Sequence, residues 1–350
     1  MRFVTLPALL LILTAIAPMS EAMEAGPYES DLRAFDLGSD LTDVAIWNDT
    51  VAYCDGTGNV YAFDIRTNKS LLLDTMSDTP RIYCQFVCWA KGPSNTLIVY
   101  DLARSEYRNT LVNNVTGISI SGDRVVISRF EHDPYSNGSI SNIYVFNIDN
   151  DTIESVSLFP SNKMNPCIYG DMVVWQDTRS GDKDIYMFNL TTRIERAITD
   201  EPGDQVFPRA WGDWVVYRDQ RTTPSRAIAY SLSSRERIII STNGGGFPMI
   251  YGDHVVFTIS GTYVFDISCN QSYKISEKNV AKGIWENRIV DIDSGRLLLL
   301  EFKKKGPDNA GILDILPFII IAVLITGGAG TCGVMLWYDE GGSKKKDGGD

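Results

Sequence analysis

The feature that most constrains this chain is an internal repeat. The segment Pro166-Cys167-Ile168-Tyr169-Gly170-Asp171-Met172-Val173-Val174-Trp175 has near copies at 208–217 and 248–257. Fainter copies centre on Asn48-Asp49, Cys84-Gln85, Gly122-Asp123 and Glu286-Asn287. With Asn48, Cys84, Gly122, Gly170, Gly212, Gly252 and Glu286 as register marks, seven copies are spaced by 36, 38, 48, 42, 40 and 34 residues. Each holds a short apolar stretch, a two-residue turn and a β-branched run. An alternating segment such as 184–190 and a last short one such as 195–199 follow. Gly-Asp or Asn-Asp between two β runs signals a tight hairpin. Four strands in about 40 residues make one propeller blade. Helical periodicity is absent, so the expected fold is all-β, a seven-bladed β-propeller.

The seventh copy stops early. After its third strand, 296–302, the chain runs into Lys303, and a fourth strand is missing. That would leave an unpaired edge. The stretch Leu32-Arg33-Ala34-Phe35-Asp36-Leu37 resembles Glu195-Arg196-Ala197-Ile198-Thr199-Asp200, the outer strand of another copy. A strand over 30–37 is therefore expected to close the ring as the outer strand of blade seven.

The two ends of the chain read as targeting and anchoring segments. Met1-Arg2-Phe3, an apolar run to Ala17, and small residues at Ser20 and Ala22 predict a secretory signal peptide over 1–22. From Ile315 to Tyr338 no residue is charged. At about 1.5 Å per residue that stretch crosses a hydrocarbon core of about 30 Å. Trp337 and Tyr338 stand where an interfacial aromatic belt belongs. The expected order is signal peptide 1–22, ectodomain 23–302, juxtamembrane linker 303–314, transmembrane helix 315–338 and cytoplasmic tail 339–350. Lysines flank the span on both sides, at Lys303 to Lys305 and Lys344 to Lys346, so orientation rests on the signal peptide. It places the ectodomain outside a cell membrane crossed once.

The net charge of −12 argues against nucleic acid as a partner. Cys332 falls in the expected span, leaving Cys54, Cys84, Cys88, Cys167 and Cys269 outside it. Their number is odd and their spacing matches no zinc pattern, so the pairing is open. Asn-x-Ser/Thr sequons at Asn48, Asn68, Asn114, Asn137, Asn150, Asn189 and Asn270 predict an N-glycosylated surface.

The pattern Pro-x-Ile-Tyr-Gly-Asp-x-Val-Val-Trp-x-Asp-x-Arg, with Asp-Ile-Tyr-x-Phe-Asn-Leu and Ile-Thr following, resembles the WD40-like (PD40) repeats of TolB-type propellers. Residues 165–200 carry it best, 207–257 well, and the remaining copies loosely. With its anchor and sequons the chain also resembles archaeal membrane-anchored cell-surface propeller proteins. The resemblance implies a propeller over most of 30–302 and says little of activity, since propellers host many unrelated functions.

The sequence offers little catalytic chemistry. His132 and His254 are the two histidines of the chain, which excludes a histidine-rich metal site. No Gly-x-Ser-x-Gly elbow occurs. No catalytic residue and no cofactor is expected. Asp177, Asp182 and Asp184 crowd one loop as a calcium candidate, opposed by Arg179 and Lys183 beside them. The recurrence of Asp-x-Arg at Asp219-Gln220-Arg221 suggests a repeated structural contact instead.

The segments 129–141, 177–184 and 218–226, between the second and third strands of blades three to five, are the longest of their kind. They are expected to form one raised patch bearing Phe130, Glu131, His132, Tyr135, Arg179, Arg218 and Arg221, aromatics and arginines of the kind enriched at binding hot spots. The favoured function is a non-enzymatic binding or scaffold module for a protein or envelope polymer. The alternative is an extracellular polysaccharide hydrolase or lyase using carboxylates at the propeller funnel.

Overall fold

The computed structural model describes residues 27–38, 40–133 and 138–305. The expected signal peptide, nearly all of the linker, the transmembrane segment and the tail lie outside the described residues, as do Tyr135 and Asn137. No described helix is long and apolar enough to cross a membrane.

Seven four-stranded antiparallel sheets make up the propeller. Their innermost strands are Leu41–Trp47, Ser77–Tyr83, Val115–Ser121, Lys163–Tyr169, Gln205–Trp211, Met249–Tyr251 and Gly283–Trp285. In six sheets the strands follow one another in sequence. The seventh runs Gly283–Trp285, Arg288–Asp293, Arg296–Lys304 and then Tyr28–Phe35, from the other end of the chain. Tyr28 lies opposite Lys304 and Phe35 opposite Leu297. The strand Arg296–Lys304 runs beyond the expected domain edge at 302, and Tyr28–Phe35 begins before the expected 30.

A strand inside a face-to-face stack of sheets is covered on both sides, so its sequence is apolar continuously rather than alternately. Met172–Asp177 follows this rule and is buried at every position. Its Trp175 and the corresponding Trp89 are fully buried, and each indole N–H donates to an aspartate, Asp177 at 3.0 Å and Asp74 at 3.1 Å. Seven apolar clusters fill the seven junctions between neighbouring blades. One joins Met172, Val174 and Ile185 of blade four to Val215, Tyr217 and Ile228 of blade five. Another joins Val44, Val51 and Phe63 of blade one to Val290, Leu297 and Leu299 of blade seven. The ring of packed sheets is thus continuous.

The seven register marks share one backbone conformation. Asn48, Cys84, Gly122, Gly170, Gly212, Gly252 and Glu286 all have φ between 51° and 63°. This left-handed geometry opens a tight hairpin whose twist matches its strands, and glycine adopts it without steric cost. Cys84 and Glu286 hold the same turn with a side chain attached, which is why their copies read faintly.

Antiparallel order divides the connections between two rims. Turns between the first and second strands, and between the third and fourth, lie on one rim. Loops between the second and third strands, with the blade-to-blade connections, lie on the other. We call these the turn rim and the loop rim.

Candidate functional site: the central channel and its two rims

The innermost strands enclose a channel with about 310 Å³ of water-accessible space. Alternate residues of each strand face it. At the turn rim, the residue just before each register mark is Trp47, Tyr83, Ser121, Tyr169, Trp211, Tyr251 or Trp285. Six of these seven side chains are aromatic, and all six rings are half-buried. Their centroids follow one another at 3.9 Å (Tyr83–Trp47), 3.6 Å (Trp47–Trp285), 4.7 Å (Trp285–Tyr251), 4.0 Å (Tyr251–Trp211) and 4.5 Å (Trp211–Tyr169). The result is an arc of rings around this mouth, tilted against one another except for the edge-on Trp285–Tyr251 contact, and broken at blade three by Ser121. The Ser121 hydroxyl instead accepts the Gly170 N–H at 3.1 Å.

One layer deeper, two residues before the aromatic positions, stand Ala45, Arg81, Ser119, Cys167, Arg209, Met249 and Gly283. Arg81 donates to Asp43 at 2.8 Å. Arg209 donates to the Pro208 carbonyl at 2.8 Å and forms no ion pair with a described residue. Burial pushes its guanidinium below the usual arginine range. The charged residues lining the channel among the described residues are Arg81, Arg209 and Lys282, and no carboxylate is among them.

The raised patch expected from the loops is only partly assembled. The segment 129–141 is in its described part a continuation of two strands, Arg124–His132 and Ser139–Asn147, so it extends a hairpin rather than forming a loop. Phe130 and His132 are exposed there. Glu131 is turned back onto its own sheet, where its carboxylate accepts from Asn142 and, at 2.8 Å, from the Tyr144 hydroxyl.

Arg179 is not presented to solvent, which corrects the expectation. Its side chain is 14% exposed and forms ion pairs with Asp177 and Glu195, both at 2.6 Å. The guanidinium lies 4.1 Å from the Tyr186 ring centroid and 4.6 Å from that of Phe159. Arg221 is clamped on Asp219 at 2.7 Å, and Arg218 donates to the Ser225 hydroxyl at 2.8 Å. The Asp-x-Arg pair is thus a structural unit repeated in blades four and five.

The calcium candidate is not brought together either. Asp177 is fully buried and accepts from Ser161, Trp175 and Arg179. Burial opposes its charge, but these donors more than offset it and hold the carboxyl below the usual range. Asp184 accepts from Ser180 and Thr199, and Asp182 from the Gly203 N–H. Among the described residues no three metal-ligating side chains are grouped to hold an ion.

The sequons divide between the rims. Asn48, Asn68, Asn150, Asn189 and Asn270 sit at the turn rim, and Asn114 in a blade-to-blade connection of the loop rim. The five described cysteines are free thiols. His254 packs between blades six and seven, with Nε2 3.1 Å from the Tyr28 hydroxyl, away from the channel.

No family model matches the chain, and no curated protein matches it. Solved structures do. Oligogalacturonate lyase from Vibrio parahaemolyticus is 10% identical at a TM-score of 0.59, over 78% of this chain and 97% of that one. Uncomplexed acylaminoacyl peptidase from Pyrococcus horikoshii is 14% identical at a TM-score of 0.60, over 79% of this chain and 54% of that one. TolB from Acinetobacter baumannii is also similar, at 9% identity and a TM-score of 0.42, over 71% of this chain and 60% of that one. The likeness is one of fold. The chain is a seven-bladed propeller, and the propellers similar to it belong to proteins of different activities.

Sequence reasoning missed the aromatic collar and the cationic layer beneath it. The signal was present in the repeat, where Tyr169, Trp211 and Tyr251 immediately precede Gly-Asp. Inward alternation from those positions leads directly to Arg209.

Proposed function

We propose that this chain is an extracellular binding module, held by a single C-terminal membrane helix, that docks a protein or envelope polymer on its loop rim without catalysing a reaction. The observation that carries this reading is the unequal character of the two rims. Exposed large hydrophobic side chains among the described residues lie either on outer strands or on the loop rim. Those of the loop rim are Met76, Leu111, Phe130, Leu158, Phe159, Phe247 and Ile259, with Leu158 91% exposed. The turn rim has none and carries five of the sequons. Apolar surface on connections held by a rigid scaffold favours a macromolecular partner. Glycans on the turn rim would keep that side hydrated.

The strand Arg296–Lys304 ends at the turn rim, the side that carries five of the sequons. Pairing of Tyr28–Phe35 with Arg296–Lys304 is, in this reading, the closure of the ring. The alternative, cleavage of polysaccharide by funnel carboxylates, draws on the fold likeness to oligogalacturonate lyase. The channel lining, with three cationic side chains and no carboxylate, argues against a two-carboxylate mechanism there.

Full-length chain used as bait in native membranes should recover an envelope component. A bait carrying Phe130→Ser, Leu158→Ser and Phe247→Ser should not. Equal recovery by both baits, or none by either, would overturn the reading.

A further inference from the structure

We infer that the central channel is an oxyanion site, taking a carboxylate or phosphate group on Arg209 from the loop-rim side. This inference does not depend on docking at the loop rim. It starts from charge. The chain carries a net charge of −12, yet the charged side chains lining the channel among the described residues are Arg81, Arg209 and Lys282, with the Asp43 carboxylate offsetting Arg81 alone by an ion pair. Charge of one sign between low-dielectric walls focuses the field and concentrates ions of the opposite sign.

Arg209 is the group that needs a ligand. Arg81, in the same layer, has its counterion in Asp43 at 2.8 Å. Lys282 is exposed and reaches the Thr42 carbonyl at 3.2 Å. Arg209 sits deep in the ring, and the channel leaves it partly accessible. Among the described residues it has one acceptor for five N–H donors, and the one carboxylate that attracts it, Asp43, is paired with Arg81 and forms no ion pair with it. A buried, unpaired charge is costly unless something neutralises it. A guanidinium presents a planar fork that suits carboxylate and phosphate oxygens.

The collar decides the direction of entry. Rings 3.6–4.7 Å apart crowd the turn-rim mouth. Among the described residues the opposite mouth carries no comparable run of rings, and the Phe207–Phe247 pair is the ring contact on that side. An anion therefore enters there and stops beneath the rings, with Trp211 two residues from Arg209.

The test is thermal unfolding of the full-length chain in detergent, read by tryptophan fluorescence. Inorganic phosphate and acetate are each titrated against sodium chloride at matched ionic strength. Wild type and Arg104→Gln, which alters an arginine away from the channel, should both gain thermal stability saturably. The gain is roughly 5 °C at about 100 times the dissociation constant. Arg209→Met should melt higher than wild type without anion and show no anion-dependent gain. Arg209→Lys, which keeps the charge and loses the fork, should retain a reduced gain. A response to phosphate alone assigns a phosphate-bearing ligand, and one to acetate alone a carboxylate. An equal gain in Arg209→Met and wild type, or no saturable gain in wild type, overturns the inference.

Discussion

The hydroxyl of Tyr28, at the start of the outermost strand of blade seven, donates to Asp266 of blade six at 2.8 Å, across 238 positions of sequence. The same hydroxyl lies 3.1 Å from Nε2 of His254, and the Tyr28 ring packs edge-on against Phe302. The first described strand is therefore tied to two blades at once, by its ladder to Arg296–Lys304 and by this side chain to the neighbouring sheet.

Replacing Tyr28 with Phe removes that donor and keeps the ring. It should cost about 1–2 kcal/mol, read as a lower urea midpoint at unchanged slope. Deleting residues 28–35 should do far more, because it bares the edge strand and uncovers Leu298 and Leu300, which are at most 2% exposed. The deleted chain is expected to aggregate at concentrations where wild type stays monodisperse in size-exclusion chromatography.

Three of the four faint repeats mark sites where glycine is missing. Glu286 has φ 51° and Cys84 φ 51° at positions that four other blades give to glycine. Glu286→Gly and Cys84→Gly should each stabilise the propeller by about 1 kcal/mol in chemical denaturation, since a side chain in this conformation costs about that much. A loss of stability in both would mean that their side chains carry contacts outweighing the backbone strain.

His254 sets a pH dependence. Burial holds its imidazole below the usual value, so the folded protein keeps it neutral where the unfolded chain takes up a proton. Stability from this group is complete above about pH 6.5 and declines as pH falls through the lower folded value. His254→Phe should flatten the stability profile between about pH 5 and 7. Asp177 and Asp266, both held below the ordinary carboxylate range, act only at lower pH, with their contribution lost as pH falls beneath about 4.

Cysteine reactivity reads out the same architecture. Cys84 and Cys269 are exposed, whereas Cys88 is fully buried with its thiol pushed up to about 12 by burial. Burial also raises Cys54. Iodoacetamide applied to the native protein should label Cys84 and Cys269 first and leave Cys54 and Cys88 unmodified until denaturant is added, as peptide mass spectrometry resolves.

The fold was legible because its punctuation is local. A left-handed residue followed by Asp or Asn, with β-branched residues on either side, announces a hairpin wherever it occurs, and the spacing of seven such turns defines the ring. Side-chain direction at the ends of strands was not legible in the same way. Arg179 and Arg221 lie in long loops and looked available, but an aspartate two residues earlier engages each guanidinium, covering Arg179 and leaving Arg221 exposed but ion-paired. Asp177, Asp182 and Asp184 are neighbours in sequence, yet each answers to a different donor set. The collar escaped because Tyr169, Trp211 and Tyr251 stand within the short apolar stretch of each copy, and a single copy does not show which side chains face the axis. Only closure of the ring brings side chains from six blades to one mouth.

The composite seventh sheet also governs how the molecule bears a load. Arg296–Lys304 is held between two antiparallel neighbours, with Tyr28 opposite Lys304 on one side and Arg288 opposite Glu301 on the other. Tension applied to the backbone after Lys304, along the strand, acts parallel to both ladders. Their hydrogen bonds then share the force in shear instead of parting one after another. A pull on the carboxyl-terminal end thus meets the mechanically strongest arrangement a sheet offers, and the amino-terminal strand forms half of that grip.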